Sequence, residues 1–245
     1  MMTSNLIGRL GIQSWCFRKI TDNSKVIEAL KECGVDHIEL CGIHINPCEN
    51  AKSVVSQYLD AGITISAFGV NGFNSDMDAA RKVFELAELA GFPTISADFA
   101  TGGIEVVEKL CDEYGKKVAF HNHGRLYPVN SPHHIEEMFG KTTPNVGLCL
   151  DTAWMLDSGY DPIEVAEKFQ DRLYGIHIKD FIFDRAGNPE DVVVGTGNLD
   201  LKRLACFLDK IDFSGYITLE YEGDEDNPVP ALKKCVENIK GAFEK

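Results

Sequence analysis

A chain of 245 residues, 44% of them hydrophobic, can bury a sizeable core, and its length does not oblige it to form two domains. Its formal net charge of −14 opposes a phosphate backbone, which clustered Lys and Arg would have to neutralise, so nucleic acid is excluded as a partner. No apolar stretch approaches the roughly 20 residues of a membrane span, and Met1 to Asn5 lacks a basic signal-peptide start. A soluble cytoplasmic protein with no membrane partner is therefore expected.

From the N-terminus, short apolar or β-branched runs alternate with longer stretches of helical period, eight of each. The expected strands are Leu10–Ser14, His37–Leu40, Thr64–Phe68, Thr94–Ala97, Lys117–Asn122, Val146–Asp151, Leu173–Ile178 and Tyr216–Glu220. Asp22, Asn23 and Ser24 precede a helix at Lys25–Cys33 that Gly34 stops. Ser75 precedes another at Asp76–Ala90 that Gly91 stops. Gly62, Gly115 and Gly140 are expected to close further helices in the same left-handed way.

Nearly all-apolar strands alternating with helices imply a parallel sheet covered on its outer face. Eight such units define an α/β protein, a (β/α)₈ barrel forming one domain over residues 1–245. An open doubly wound sheet is the alternative, but no Gly-x-Gly-x-x-Gly follows the first strand. Phe183–Asn198 is the one long connection after a strand and a candidate lid. The eight cysteines include no Cys-x-x-Cys pair and several sit in apolar company, which predicts reduced thiols.

In such a barrel the chemistry lies at the C-terminal ends of the strands. Residues there are Gln13, Glu39, His121, His123, Asp151, His177, Lys179 and Glu220. His121 and His123 are two apart and share a face. An Asp after a strand often serves as a helix N-cap, but capping does not account for His121, His177 and Glu220 at matching points of neighbouring strands. His121, Asp151, His177 and Glu220 therefore form a candidate site for one divalent ion, Mn²⁺, Zn²⁺, Co²⁺ or Mg²⁺.

Glu222 competes with Glu220 for the last position because both would face the same way. Lys179 could hold a substrate oxygen or phosphate or stabilise an enolate, or it could form an ion pair with Asp180 or Asp151. Gln13 and Glu39 are candidate substrate contacts. So are Trp15 and Trp154, which with Phe17 and Phe68 could wall a sugar ring. Gly195-Thr196-Gly197 reads either as an anion-cradling turn or as a plain turn before the next helix.

The ordered set Leu10-Gly11-Ile12-Gln13-Ser14, Phe120-His121-Asn122-His123-Gly124, Gly147-Leu148-Cys149-Leu150-Asp151-Thr152, Ile176-His177-Ile178-Lys179-Asp180, Gly195 to Asp200 and Leu219-Glu220-Tyr221-Glu222 resembles the xylose isomerase-like TIM barrel superfamily, within its sugar phosphate isomerase/epimerase group. The resemblance implies one divalent metal, usually Mn²⁺, held by His121, Asp151, His177 and Glu220. Many relatives carry Glu where this chain has His121; the inosose dehydratase-like branch has His. Many read Asp-Thr-Gly-His where this chain reads Asp151-Thr152-Ala153-Trp154.

The expected function is a metal-dependent isomerase or epimerase acting on a keto or aldo sugar or a polyol derivative. Glu220 would remove the proton next to the carbonyl, while His123 or Lys179 manages the oxyanion or returns the proton. A lyase on the same fold, dehydrating an inosose or eliminating from a 3-keto-glycoside, is the alternative. A sugar-binding barrel without catalysis is the third reading. Monomer and homo-oligomer are both open.

Overall fold

The computed structural model describes residues 4–244. Its strands are β1 (Leu10–Gln13), β2 (His37–Leu40), β3 (Thr64–Phe73), β4 (Thr94–Phe99), β5 (Lys117–His121), β6 (Val146–Asp151), β7 (Leu173–Ile178), β8 (Phe181–Phe183), β9 (Pro189–Asp191) and β10 (Tyr216–Leu219). β1 to β7 and β10 close a parallel barrel in the order β1-β10-β7-β6-β5-β4-β3-β2, with helices in between. This is the expected (β/α)₈ architecture. The eighth barrel strand is β10 because a hairpin intervenes.

Alternation along each strand separates two environments. Val118 and Phe120 of β5 belong to the main buried core beneath the helices. Ala119 belongs to a small separate cluster with Ala67, Cys149 and Tyr216. Burying one Leu, Ile or Phe side chain contributes about 1.5–3 kcal/mol, and Ile12, Ile38, Ile95, Leu148 and Ile176 are all fully buried. A Cβ on Gly175 would sit 2.1 Å from Cζ of Tyr216, so the tyrosine ring fills space that any side chain at 175 would need.

Local chemistry sets the helix ends. Asp22 accepts from Ser24 N to cap Asn23–Cys33, and Gly34 ends that helix at φ 71°. The second expected cap is corrected by one residue. Asp76, not Ser75, accepts from the amides of Asp78 and Ala79 and starts Met77–Ala90, because a carboxylate reaches both free N–H groups. Gly140 is also corrected: it is the last residue of helix Pro132–Gly140, and Lys141 caps that helix in the right-handed region. β3 runs past the expected Phe68 to Phe73, with an irregular register between Phe68 and Asn71.

The long connection after β7 is structured. β8 and β9 pair antiparallel, with Phe181 opposite Asp191 and Phe183 opposite Pro189. Beyond them, Gly195 N and Gly197 N donate to Asp180 Oδ2 at 3.0 and 2.9 Å, and Leu199 N donates to Oδ1 at 2.9 Å. The Gly195-Thr196-Gly197 turn thus cradles an anion, and that anion is the chain's own Asp180. A Cβ on Gly197 would lie 2.4 Å from Asp180 Oδ1, so only glycine lets the carboxylate in.

Candidate metal centre

Each of β5, β6 and β7 delivers one inward donor at its end: His121, Asp151 and His177. Glu220 follows β10 directly, its N–H bonded to Ile178 O at 3.1 Å as the ladder continues. Atoms of these four residues lie within 4.8 Å of one another, and all four residues are buried. His177 Nδ1 is 2.7 Å from Glu220 Oε2 but lacks hydrogen-bond alignment, and His121 Nε2 is 3.6 Å from Asp151 Oδ2. Neither ring nitrogen of His121 has a hydrogen-bond partner, nor has Asp151 Oδ2. Buried polar atoms are rarely left so, and a divalent ion among nitrogen and carboxylate donors would satisfy them.

The Asp151 carboxylate divides its labour. Oδ1 caps the next helix through Trp154 N at 2.8 Å, which leaves Oδ2 for the cluster. Capping and ligation, rivals in the sequence, are compatible in the structure. Asn122, between the two histidines, clamps the Asp151 backbone by accepting from its N–H at 2.8 Å and donating to its C=O at 3.1 Å. Sequence reasoning missed this partner. The signal was its place between the two histidines, directly after β5.

Glu39 is corrected. Expected as a substrate contact, it has no exposed surface and does not line the cavity. Its Oε2 pairs with His177 Nε2 at 2.7 Å, and its Oε1 accepts from Ser96 Oγ. A carboxylate behind a ligand histidine fixes which ring nitrogen faces the site and raises its basicity. Burial opposes protonation of His177, but Cys149, Glu39 and Glu220 outweigh it and hold its pKa well above the ordinary value. A cation binding there would displace that proton.

Lys179 is fully buried and meets neither Asp180 nor Asp151 in an ion pair. Its Nζ contacts Glu222 Oε1, and lies 3.5 Å from Glu220 Oε1 and 3.7 Å from Asp191 Oδ2. The ring centroids of Trp154 and Phe181 are 5.1 and 5.6 Å away. Burial disfavours the ammonium, yet Glu220, Asp151, Glu222 and Asp191 together raise its pKa. Burial likewise works against the Glu220 carboxylate, but Lys179, His177 and His121 hold its pKa below the usual range. Glu222 also accepts from Trp15 Nε1 at 3.1 Å, so the competition with Glu220 resolves into two different partner sets.

Asp191, on the hairpin, was also missed. Burial pushes its carboxyl from 3.8 up to about 7, against partial relief from Lys179 and the Glu222 amide. Its pKa is raised on folding, so between about pH 4 and pH 7 the folded form keeps a proton that the unfolded chain has lost. Its contribution to stability therefore declines as pH rises through that window. Asp191→Asn removes the effect. Relative to the parent, the metal-free variant is expected to gain stability from pH 5 to pH 8, by up to about 3 kcal/mol. Denaturant titration at both pH values checks this; an unchanged difference between the two proteins refutes it.

The cluster opens into a cavity of about 510 Å³ whose lining includes Gln13, Trp15, His123, Trp154, Glu220 and Glu222. Gln13 Oε1 accepts from Trp15 N at 3.2 Å and its Nε2 donates to Gly69 O at 3.3 Å. Phe17 and Phe68 belong to the core and wall nothing. His123 stands beside His121, ring centroids 4.8 Å apart, and pairs through Nε2 with the Asp98 carboxylate at 3.0 Å. Burial lowers its pKa, but Asp98, with Asp151 and Glu220, outweighs this and the net shift is upward.

The model of the xylose isomerase-like TIM barrel family matches residues 96–241. The chain belongs to this family. An inosose dehydratase of Geobacillus kaustophilus (strain HTA426) is 29% identical over 137 residues, covering 50% of this chain and 44% of that protein. Another, of Clostridium perfringens, is 27% identical over 158 residues, covering 56% and 52%. The chain spans about half the length of the curated relatives it matches. The solved structure of IolI protein with a bound zinc atom superposes with a TM-score of 0.75 at 19% identity, covering 96% of this chain and 98% of that one. At that identity the likeness is one of fold. No helix among the described residues is long and apolar enough to cross a membrane.

Proposed function

We propose that this protein, one barrel domain, is a divalent-metal-dependent enzyme that moves the proton next to a carbonyl of a keto or aldo sugar or polyol derivative, isomerising or epimerising it. The observation that carries the reading is the convergence of four buried donors, three of them with unpartnered atoms, at a cavity with aromatic walls. A bound ion would supply Lewis-acid polarisation of the carbonyl and its neighbouring hydroxyl. His121, Asp151, His177 and Glu220 would hold it; the donor set suits Mn²⁺ first, with Zn²⁺, Co²⁺ or Mg²⁺ also accommodated.

Proton transfer is most effective when the group's pKa lies near the working pH. Glu220, depressed by Lys179 and His177, makes a good ligand and a weak base. The proton-moving role therefore passes from Glu220, the expectation from sequence, to His123, oriented by Asp98. Lys179 keeps the Glu220 and Glu222 carboxylates in place, and Trp15, Trp154 and Gln13 would bound the sugar. A second reading, elimination of a group β to the ketone, is supported by two observations. The cavity offers the His123 imidazole rather than a pair of opposed carboxylates, and the matched relatives include inosose dehydratases.

The test is elemental analysis of the purified protein, followed by proton NMR in deuterated water with a panel of ketohexoses and 3-keto sugars. Stoichiometric metal is expected, with exchange of the proton next to the carbonyl that stops on chelation and returns with Mn²⁺. An enone product would select elimination. Exchange that is undiminished without metal sinks the reading, and metal binding with no exchange leaves a sugar-binding barrel.

A further inference from the structure

Three features of the cavity bear on what sits above the candidate metal centre. The first is charge. Among the described residues that line the cavity, none is Lys or Arg. Lys179, the nearest buried ammonium, is enclosed by Glu222, Glu220 and Asp191. Arg18, behind Trp15, is engaged by Glu225 and by the Glu222 carbonyl. Glu220 and Glu222 line the cavity and keep Lys179 occupied, so the described lining offers an anion no unpaired ammonium or guanidinium.

The second feature is the Gly195-Thr196-Gly197 turn. In (β/α)₈ barrels a phosphate often binds between the loops after the seventh and eighth strands, on backbone N–H groups. Here three such N–H groups, of Gly195, Gly197 and Leu199, are already bonded to the Asp180 carboxylate. Asp180 is itself fully buried. A phosphate would have to displace a buried ion from a filled cradle.

The third is the rim. Trp15, Ile43, Val70 and Tyr127 line the cavity and are 39%, 39%, 38% and 54% exposed. With Trp154 they supply the aromatic and aliphatic part of the lining. At about 510 Å³ the space lies in the range that encloses a drug-sized ligand, larger than one sugar ring. Exposed aromatic and aliphatic side chains continuous with a site mark where an apolar part of the ligand packs.

We infer that the site takes an uncharged glycoside, its sugar ring over the four-donor cluster and an apolar aglycone against Trp15, Ile43, Val70 and Tyr127, and that it discriminates against sugar phosphates. The inference rests on the proposed sugar-modifying role for the location of the ring. It goes beyond that role in fixing the charge and shape of the substrate.

Phenyl β-D-glucopyranoside, D-glucose and D-glucose 6-phosphate are titrated into the Mn²⁺-loaded full chain by calorimetry. Tryptophan fluorescence serves as a second readout, because both tryptophans of the chain, Trp15 and Trp154, line the cavity. The phenyl glucoside is expected to bind at least tenfold tighter than glucose, and the phosphate no tighter than glucose. Ile43→Ser and Tyr127→Ser, at exposed positions, are expected to erase most of the phenyl advantage while leaving glucose within about twofold. Tighter binding of the phosphate, a phenyl advantage that both variants retain, or no binding of any probe by folded protein overturns the inference. Repeating the titrations after chelation separates the two readings. A phenyl preference that is independent of metal keeps the inference and counts against the metal-dependent role. A metal-dependent proton exchange on a sugar phosphate does the reverse.

Discussion

Replacing His177 with alanine is expected to remove metal binding and turnover together. His177 is fully buried, with Nδ1 2.7 Å from Glu220 and Nε2 2.7 Å from Glu39. Its loss deletes a donor and also strands the Glu39 carboxylate in the barrel interior. Removing an outer partner of a metal ligand typically costs about 10–100-fold in affinity, so removing the ligand itself should cost more than about 100-fold. Glu39→Gln provides the milder companion, since it preserves volume and the bond to Ser96 but weakens the hold on the imidazole. A loss of about 10–100-fold is expected there, read by competition with a chromophoric chelator. Stoichiometric metal and full activity in His177→Ala would end the metal reading.

Lys179→Met is expected to produce the largest loss of stability. The ammonium has no exposed surface and sits among Glu222, Glu220 and Asp191. Taking away one partner of a buried ion pair costs about 3–5 kcal/mol, because the remaining charges stay desolvated and repel one another. For a chain of this length that corresponds to a fall in melting temperature of roughly 10 °C. The sign of the coupling provides the check. Adding Glu222→Gln to Lys179→Met removes one of the stranded charges, so the double variant should be more stable than Lys179→Met alone. If the single variant melts within about 2 °C of the parent, Lys179 carries no such burden. A bound divalent ion would shield Glu220, so the loss should be smaller in metal-loaded protein than after chelation.

The barrel was legible because its signals are local. Three strands, His37–Leu40, Val146–Asp151 and Leu173–Ile178, match the apolar runs to the residue, and the Asp22 cap and the Gly34 and Gly91 stops follow from backbone chemistry within one turn. Errors of one residue arose where two residues could do the same local job, as with Ser75 and Asp76. Gly140 misled because a glycine can end a helix without adopting the left-handed conformation.

The site was legible only in its innermost layer. Strand alternation and parallel closure bring His121, Asp151, His177 and Glu220 to one mouth, and those rules can be applied to the sequence directly. The groups that orient these donors follow no such rule. Glu39 meets His177 across 138 residues of chain, and Trp15 meets Glu222 across 207. Asp98 reaches His123 from the neighbouring strand end, and Asp191 reaches Lys179 from a hairpin in what reads in sequence as one long connection and candidate lid.

Residue order and side-chain chemistry, then, were enough to specify the strands, the helix ends and which polar residues stand at the barrel mouth, because each depends on neighbours a few positions away. Which carboxylate joins the four-donor cluster, which orients a histidine and which fills the glycine turn depended on closure of the barrel. Glu39, Glu220, Glu222, Asp180 and Asp191 are alike in chemistry. Burial and the charge each one faces, properties of the folded chain alone, give them different roles.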